Sequence, residues 1–291
     1  MTTATPLRLA NQRLAALSWG DAAAPTWLAL HGWLDNAASF SRLAPRLVEH
    51  LGIRVVALDL AGHGQSQHLA GDGDYALWDY CHDVLDALDA LGLESAPLLA
   101  HSMGAGVACL LAASLPERVD GLRLIDGLGA LSTPAPSAPG QLRQGLQAAR
   151  RTPSPAPRYA DIDAAVQSRV KGSVTPIDAD TARPLMERNL EAMPEGDWRL
   201  RSDPRLRWPS PVRFTPEQVL AMLGAIRCDV LLIEGKAGIL TQRPGMDQAR
   251  GALQRLSRRI LAGGHHLHLE ADRVPAVADA IVTHHACVEQ G

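Results

Sequence analysis

The 291-residue chain contains only two lysines, Lys171 and Lys236, against 26 arginines, and 4% of its residues are aromatic. With 31 acidic residues the formal net charge is −3, so no overall positive field draws the chain to nucleic acid or to an anionic membrane surface. The arginine excess reads as a compositional bias rather than a binding device. Long apolar runs are missing too. None approaches the roughly 18 residues that span a bilayer, and the stretch from Met1 to Gly20 interrupts its leucines with Arg8, Asn11, Gln12 and Arg13, unlike the unbroken core of a signal peptide. The four cysteines, Cys81, Cys109, Cys228 and Cys287, are scattered without CxxC spacing. That argues against a disulfide framework or a structural zinc site, and a reduced, cytoplasmic compartment is expected.

What is present is the composition of a globular protein, 46% hydrophobic and 20% charged. Short apolar runs alternate with segments of helical period, the pattern of a parallel sheet covered by helices. The expected strands are Trp27–Leu30, Ile53–Leu58, Pro97–Ala100, Leu122–Ile125, Val230–Ile233 and Arg259–Leu261, preceded by a hairpin of Leu7–Leu9 and Leu14–Leu17 turning at Asn11. Leu77, Cys81, Val84, Leu85, Leu88 and Leu91 share one helical face, and Gly92 follows as a stop. Met103–Leu115 is a small-residue helix closed by Pro116, and Val274–Val282 is the last helix, with Pro275 in its first turn. From 131 to 226 the alternation stops. Proline clusters (Pro134, Pro136, Pro139, then Pro153, Pro155, Pro157) and helical stretches carry no convincing strand. An insertion of that size suggests a helical cap, which divides the chain into a core of 1–130 and 227–291 and a cap of 131–226.

The chemistry concentrates at strand ends. In Leu98-Leu99-Ala100-His101-Ser102-Met103-Gly104-Ala105-Gly106 a buried strand meets a helix of small residues at Ser102. This resembles the Gly-x-Ser-x-Gly nucleophile elbow of the α/β-hydrolase superfamily, with Ala100 in place of the first Gly. The resemblance covers nearly the whole chain outside the cap. It implies a mostly parallel eight-stranded sheet flanked by helices, with Ser102 as nucleophile. His31-Gly32-Trp33 follows the strand whose loop supplies one oxyanion-hole N–H in the family, and the residue after the nucleophile supplies the other. By position those donors are Trp33 and Met103, whereas His31 reads as structural. Asp59-Leu60-Ala61-Gly62-His63-Gly64-Gln65-Ser66 looks like the family's D-x-x-G-x-G-x-S loop. It lacks the Lys and Ser/Thr of a phosphate-binding P-loop, so Asp59 and Ser66 are expected to brace it.

The base should follow the last strand. Gly263-Gly264-His265-His266-Leu267-His268-Leu269-Glu270 matches the family ending in the register that selects His265, leaving His268 and Glu270 as supports. The acid departs from the common pattern. Its usual place, a Gly-x-x-Asp turn after the next-to-last strand, here reads Gly235-Lys236-Ala237-Gly238. The replacement expected is Asp126 in Leu124-Ile125-Asp126-Gly127, since some family members place their acid after that strand; Glu234 and Asp247 are the other candidates. Within the superfamily, His31-Gly32-Trp33-Leu34-Asp35-Asn36, the vacancy at Gly238 and the segment from Asp203-Pro204-Arg205-Leu206 to Arg213-Phe214-Thr215 look like the serine hydrolase-like group.

The expected activity is hydrolysis of a carboxylic ester or thioester of a small-molecule acyl substrate through an acyl-enzyme on Ser102, with no cofactor and no metal. Two alternatives stay open. One is carbon–carbon bond hydrolysis of diketone-type substrates by the same residues, and the other a catalytically silent ligand-binding member of the fold. A metal site built from His265, His266, His268, His284 and His285 matches no zinc spacing and leaves Ser102 unexplained. In the cap, Trp198 and Trp208 are candidates to line a pocket or to pack the cap on the core. Arg199, Arg201, Arg205 and Arg207 are either a solvated, salt-bridged face or a carboxylate-binding one.

Overall fold

The first reversal of the chain is made by Ala10, Asn11 and Gln12, all with positive φ (49°, 54° and 69°). They join β1 (Thr5–Leu9) to β2 (Leu14–Trp19) in antiparallel register. The computed structural model describes residues 3–151, 154–173 and 175–289; Met1 and Pro153 of the expectations above lie outside the described residues. After the hairpin come β3 (Thr26–Leu30), α1 (Ala44–Leu51), β4 (Arg54–Leu58), α2 (Tyr80–Ala90), β5 (Ala96–His101), α3 (Met103–Ser114) and β6 (Val119–Ile125). The chain then leaves the main sheet. It forms α4 (Ala138–Ala149), β7 (Arg158–Tyr159), α5 (Ile162–Gly172), α6 (Ala179–Asn189), β8 (Leu190–Ala192), β9 (Trp198–Leu200) and α7 (Pro216–Ala225). It returns through β10 (Val230–Gly235), α8 (Met246–Ala252), β11 (Leu256–Leu261) and α9 (Val274–Glu289).

The main sheet has eight strands in the order β1-β2-β4-β3-β5-β6-β10-β11, antiparallel at the β1-β2-β4 end and parallel elsewhere. Strand periodicity sends alternate side chains to opposite faces. Along β3 and β4, Trp27, Ala29, Val55 and Ala57 join the core layer that holds residues of α1 and α9. Leu28, Leu30, Val56 and Leu58 join the layer that holds residues of α2, α3, α7 and α8. Both faces are therefore covered, which is why these strands are apolar throughout. Parallel pairing brings the C-terminal ends of β3, β5, β6 and β10 to one rim, where an open α/β sheet places its ligand site.

The segment between β6 and β10 is not purely helical. Its strands pair antiparallel in the order β7-β9-β8. With two or three residues each, they are too short to display a period, and the turn at Gly196 (φ +91°) is their only sequence mark. The last helix also runs past Val282 to Glu289, and β11 begins at Leu256 rather than Arg259. As an edge strand, β11 exposes Arg258, Arg259 and Ile260, so polar residues mask its start.

Glu234 closes the sheet on that side. Its buried carboxylate takes two forked pairs, from Arg250 at 2.7 and 3.0 Å and from Arg258 at 3.1 and 2.7 Å. Burial works to raise its pKa, and Arg258 and Arg250 outweigh burial, so the group sits below its usual 4.5. The stability it contributes is therefore fully present above about pH 4.5 and is lost as the pH falls through the lowered folded-state value. Glu234→Gln leaves two guanidiniums facing a neutral amide, with an expected loss of about 3 kcal/mol in urea unfolding near neutral pH. The same titration repeated downward in pH should show the wild-type midpoint falling toward that of the variant.

Candidate active site

Ser102 sits between β5 and α3 with φ 51° and ψ −112°, outside the regions that ordinary residues favour. Such strain costs about 1–3 kcal/mol and persists only where the surroundings over-determine it. Here they do. The Ser102 N–H donates to the Ile125 carbonyl at 3.1 Å, and the Gly104 N–H donates to the His31 carbonyl at 3.1 Å. Gly104 is required in the first turn of α3, because a Cβ there would collide with the Leu30 backbone. Ala100 is fully buried between its sheet partners Leu30 and Leu124, so a methyl group fits where the elbow pattern has its first glycine.

His265 follows β11 and faces two ways. Its Nε2 lies 2.9 Å from the Ser102 hydroxyl oxygen, and its Nδ1 lies 2.6 Å from Asp126 Oδ2. Asp126 directly follows β6 with φ 41° and is fully buried. Its Oδ2 also accepts the Ile239 N–H at 2.8 Å and its Oδ1 the Gly235 N–H at 3.3 Å, so the end of β10 and the loop after it fix the carboxylate. A Cβ built at Gly238 would run into the Asp126 carboxylate. The position left without an acid is thus the space that Asp126 fills from the neighbouring strand. Glu234 is committed to Arg250 and Arg258, and Asp247 is fully exposed beside Arg250. Neither reaches His265.

Behind His265 lies a buried histidine cluster. The His101 ring sits 4.5 Å from the ring of His265 and 4.2 Å from that of His268, and His101 Nε2 donates to the His265 carbonyl at 2.9 Å. Burial, then the neighbouring histidines, push the His101 pKa well below its usual value, so it is neutral. Burial and His266 likewise take His268 down to about 3, with its Nε2 2.7 Å from the Ser39 hydroxyl. His266 Nε2 lies 3.3 Å from Asp35 Oδ2, and Arg169 of α5 reaches Asp35 Oδ1 at 2.7 Å. Burial favours the neutral Asp35 carboxyl, yet His266 and Arg169 hold its pKa well below the ordinary carboxylate range. Glu270 accepts the Gly264 N–H at 3.0 Å and so shapes the turn that presents His265.

The remaining expectations sort by contact. His31 bridges backbone groups, Nδ1 to the Gly32 carbonyl and Nε2 from the Leu60 N–H. Asp59 accepts the Ala37 and Gln65 N–H groups, and Ser66 donates to the Asp59 carbonyl while accepting the Ala15 N–H. Asp59 does more than brace its loop: Arg188 of α6 pairs with it at 2.9 Å. That contact, like Arg169 with Asp35, joins segments more than 100 residues apart, and no local pattern announces it. Arg199 and Arg201 pair with Glu191, and Arg205 with Asp203. His284 and His285 lie on α9, away from the cluster, and no three His, Cys, Asp or Glu among the described residues are grouped to hold a metal ion. Nor is any described helix long and apolar enough to cross a membrane.

Ser102 and His265 open into a cavity of about 860 Å³, at the large end of the range for small-molecule sites. Trp33 and Met103 line it beside Ser102, together with Trp78, Leu131, Trp208 and Phe214. Trp208 is therefore a cavity residue, whereas Trp198 packs on the small core between α5 and α6. The Trp33 indole N–H donates to the Leu206 carbonyl at 2.8 Å, joining the loop after β3 to the segment that roofs the cavity.

A family profile described as "alpha/beta hydrolase fold" matches residues 25–272. A "serine hydrolase-like protein" of Dictyostelium discoideum is 33% identical over 271 residues, covering 88% of this chain and 74% of that protein. Among solved structures, a hypothetical protein of Pseudomonas aeruginosa superposes with a TM-score of 0.87 at 41% identity, covering 97% of this chain and 99% of that one. The thioesterase domain from the curacin biosynthetic pathway follows at 0.81 and 27%, with the same coverage. The chain belongs to the α/β-hydrolase fold family and, within it, to the serine hydrolase-like group; it is a hydrolase.

Because Gly238 makes room for Asp126, Gly238→Ala should push the carboxylate out of line with His265. A misplacement of about 1 Å costs about 10²-fold in rate. Covalent labelling of Ser102 by a fluorophosphonate, followed by mass spectrometry, should slow by about that factor.

Proposed function

We propose that the protein hydrolyses a carboxylic ester or thioester through an acyl-enzyme on Ser102. The observation that carries this reading is the continuous chain from the Ser102 hydroxyl through His265 to Asp126, with Ser102 and His265 lining the cavity. Asp126 takes the His265 Nδ1–H, which leaves Nε2 as the acceptor for the serine proton. As Oγ attacks the acyl carbon, that proton moves to Nε2 and Asp126 stabilises the imidazolium. The backbone N–H groups of Trp33 and Met103 are the proposed donors to the oxyanion. Met103 is the first residue of α3, so its N–H has no partner within the helix, and the helix N-terminus adds a favourable dipole. His265 then returns the proton to the leaving alcohol or thiol, and activates a water molecule for the second half.

Residues 131–226 are the proposed cap, with α7 anchoring it on α3 and with β7, β9, α5 and α6 contributing to the cavity lining. Buried pairs from Arg169 to Asp35 and from Arg188 to Asp59 tie it to the core. The likeness to a thioesterase domain supports keeping thioesters beside oxygen esters in the substrate class.

The test uses short-chain p-nitrophenyl esters, their thioester analogues and a fluorophosphonate probe. Wild-type protein should show a burst of p-nitrophenol and a single adduct on Ser102, and Ser102→Ala should show neither. Asp126→Asn should keep the fold and lower kcat by about 10⁴-fold, the size of effect expected when the imidazole loses its orienting carboxylate. An adduct-free Ser102 at neutral pH contradicts the reading.

A further inference from the structure

Five arginines line the cavity that holds Ser102 and His265: Arg169, Arg205, Arg207, Arg213 and Arg243. The same wall contains two carboxylates, Asp35 and Asp74. Two of the arginines are neutralised. Arg169 pairs with Asp35 at 2.7 Å, and Arg205 pairs with Asp203 at 2.7 Å while also donating to the Leu69 and Gly73 carbonyls. Among the described residues, no carboxylate forms an ion pair with Arg207, Arg213 or Arg243. Arg207 is exposed, where water and salt screen its charge.

Arg213 and Arg243 are different. Both are half-buried, and they come from separate parts of the chain. Arg213 precedes Phe214, which bridges to Ser132 at the cavity rim. Arg243 lies on the loop after β10, four residues beyond the Ile239 N–H that holds Asp126, and donates to the Ala130 carbonyl at 3.2 Å. Burial, then the charge of Arg213, lowers the pKa of Arg243. Two neighbouring cations in a partly desolvated wall disfavour each other unless an anion lies between them. Among the described residues no carboxylate pairs with either, and guanidiniums offer forked donors that match carboxylate and phosphate oxygens.

We propose that Arg213 and Arg243 form a subsite for an oxyanionic group, a carboxylate or a phosphate, that the substrate carries away from its reacting carbonyl. The proposal rests on the reading of Ser102 as nucleophile and narrows its substrate class to anionic esters or thioesters. Trp208, Phe214 and Leu131 provide apolar wall in the same cavity, so the expected substrate combines an apolar body with a charged end.

The test compares esters matched in length and differing in charge. On the acyl side, mono-p-nitrophenyl adipate is set against p-nitrophenyl hexanoate. On the leaving-group side, the hexanoyl ester of 4-hydroxybenzoate is set against that of its methyl ester. One charged member is expected to exceed its neutral partner by about tenfold in kcat/KM, mainly through KM, the worth of one charge-assisted hydrogen bond. The pair that shows the difference identifies the end that bears the anion. Arg213→Gln combined with Arg243→Gln should lower kcat/KM at least about tenfold more for the charged ester than for the neutral one, and the corresponding Lys pair should keep the preference. Equal losses on both esters, or no preference in the wild type, overturn the subsite. Failure of the hydrolase reading looks different, since no ester of either charge is then turned over. In that case calorimetric titration of adipate and inorganic phosphate into the Ser102→Ala protein decides. Saturable binding of either anion, weakened about tenfold in the Gln pair, supports the subsite; no saturable binding of either overturns it.

Discussion

The proposed site depends on the hydrogen bond between His265 Nδ1 and the Asp126 carboxylate, 2.6 Å long and fully buried at its acid end. That carboxylate is over-determined. The N–H groups of Gly235, at the end of β10, and Ile239, in the loop after it, hold it, and the missing Cβ of Gly238 leaves its space. Its own backbone has a positive φ, an unfavourable state for aspartate that the flanking strands enforce through the Asp126 N–H bond to Ile233. The acid reaches the histidine from β6 because β6 and β10 are parallel neighbours, so that their C-terminal ends lie side by side.

Two kinds of polar burial surround this bond. Behind His265 the histidines at 101 and 268 are kept neutral by burial, so they pack there without adding charge. Farther out, Asp35 and Asp59 face Arg169 and Arg188, and these pairs cross between the core and the proposed cap. A buried pair of this kind adds little net stability over an apolar contact, yet it is costly to break by removing one partner. It therefore specifies where α5 and α6 sit on the main sheet's loops more than how tightly the chain folds. The cavity that Ser102 and His265 line combines apolar residues with more arginines than carboxylates.

Most of this architecture is legible in the chain because its signals are local. Apolar runs of five or six residues mark the buried parallel strands, and small residues around Ser102 mark the place where β5 and α3 must pass closely. The resemblance of Gly264 to Glu270 to the family ending points to His265 among three histidines. The vacancy at Gly238 is visible as well, and it directs attention to Asp126. What escapes a sequence reading is non-local or too short to have a period. The strands β7, β8 and β9 have two or three residues each. The pairing of Arg188 with Asp59, the packing of His101 against His265 and His268, and the meeting of Arg213 and Arg243 in one cavity lining depend on the fold bringing distant segments together. Composition alone makes the arginines look like a bias, and only their placement separates paired ones from unpaired ones.

The central claim is that Asp126 supplies the carboxylate that orients His265 in the space Gly238 leaves open. Moving that carboxylate across the gap tests it most directly, by measuring kcat on a p-nitrophenyl ester for Asp126→Gly alone and for Asp126→Gly combined with Gly238→Asp. The single variant should lose most of its turnover, and the double variant should recover at least about tenfold over it, since restoring an orienting carboxylate restores the correct imidazole tautomer. Full turnover in Asp126→Gly would contradict the account, because another group would then be orienting His265.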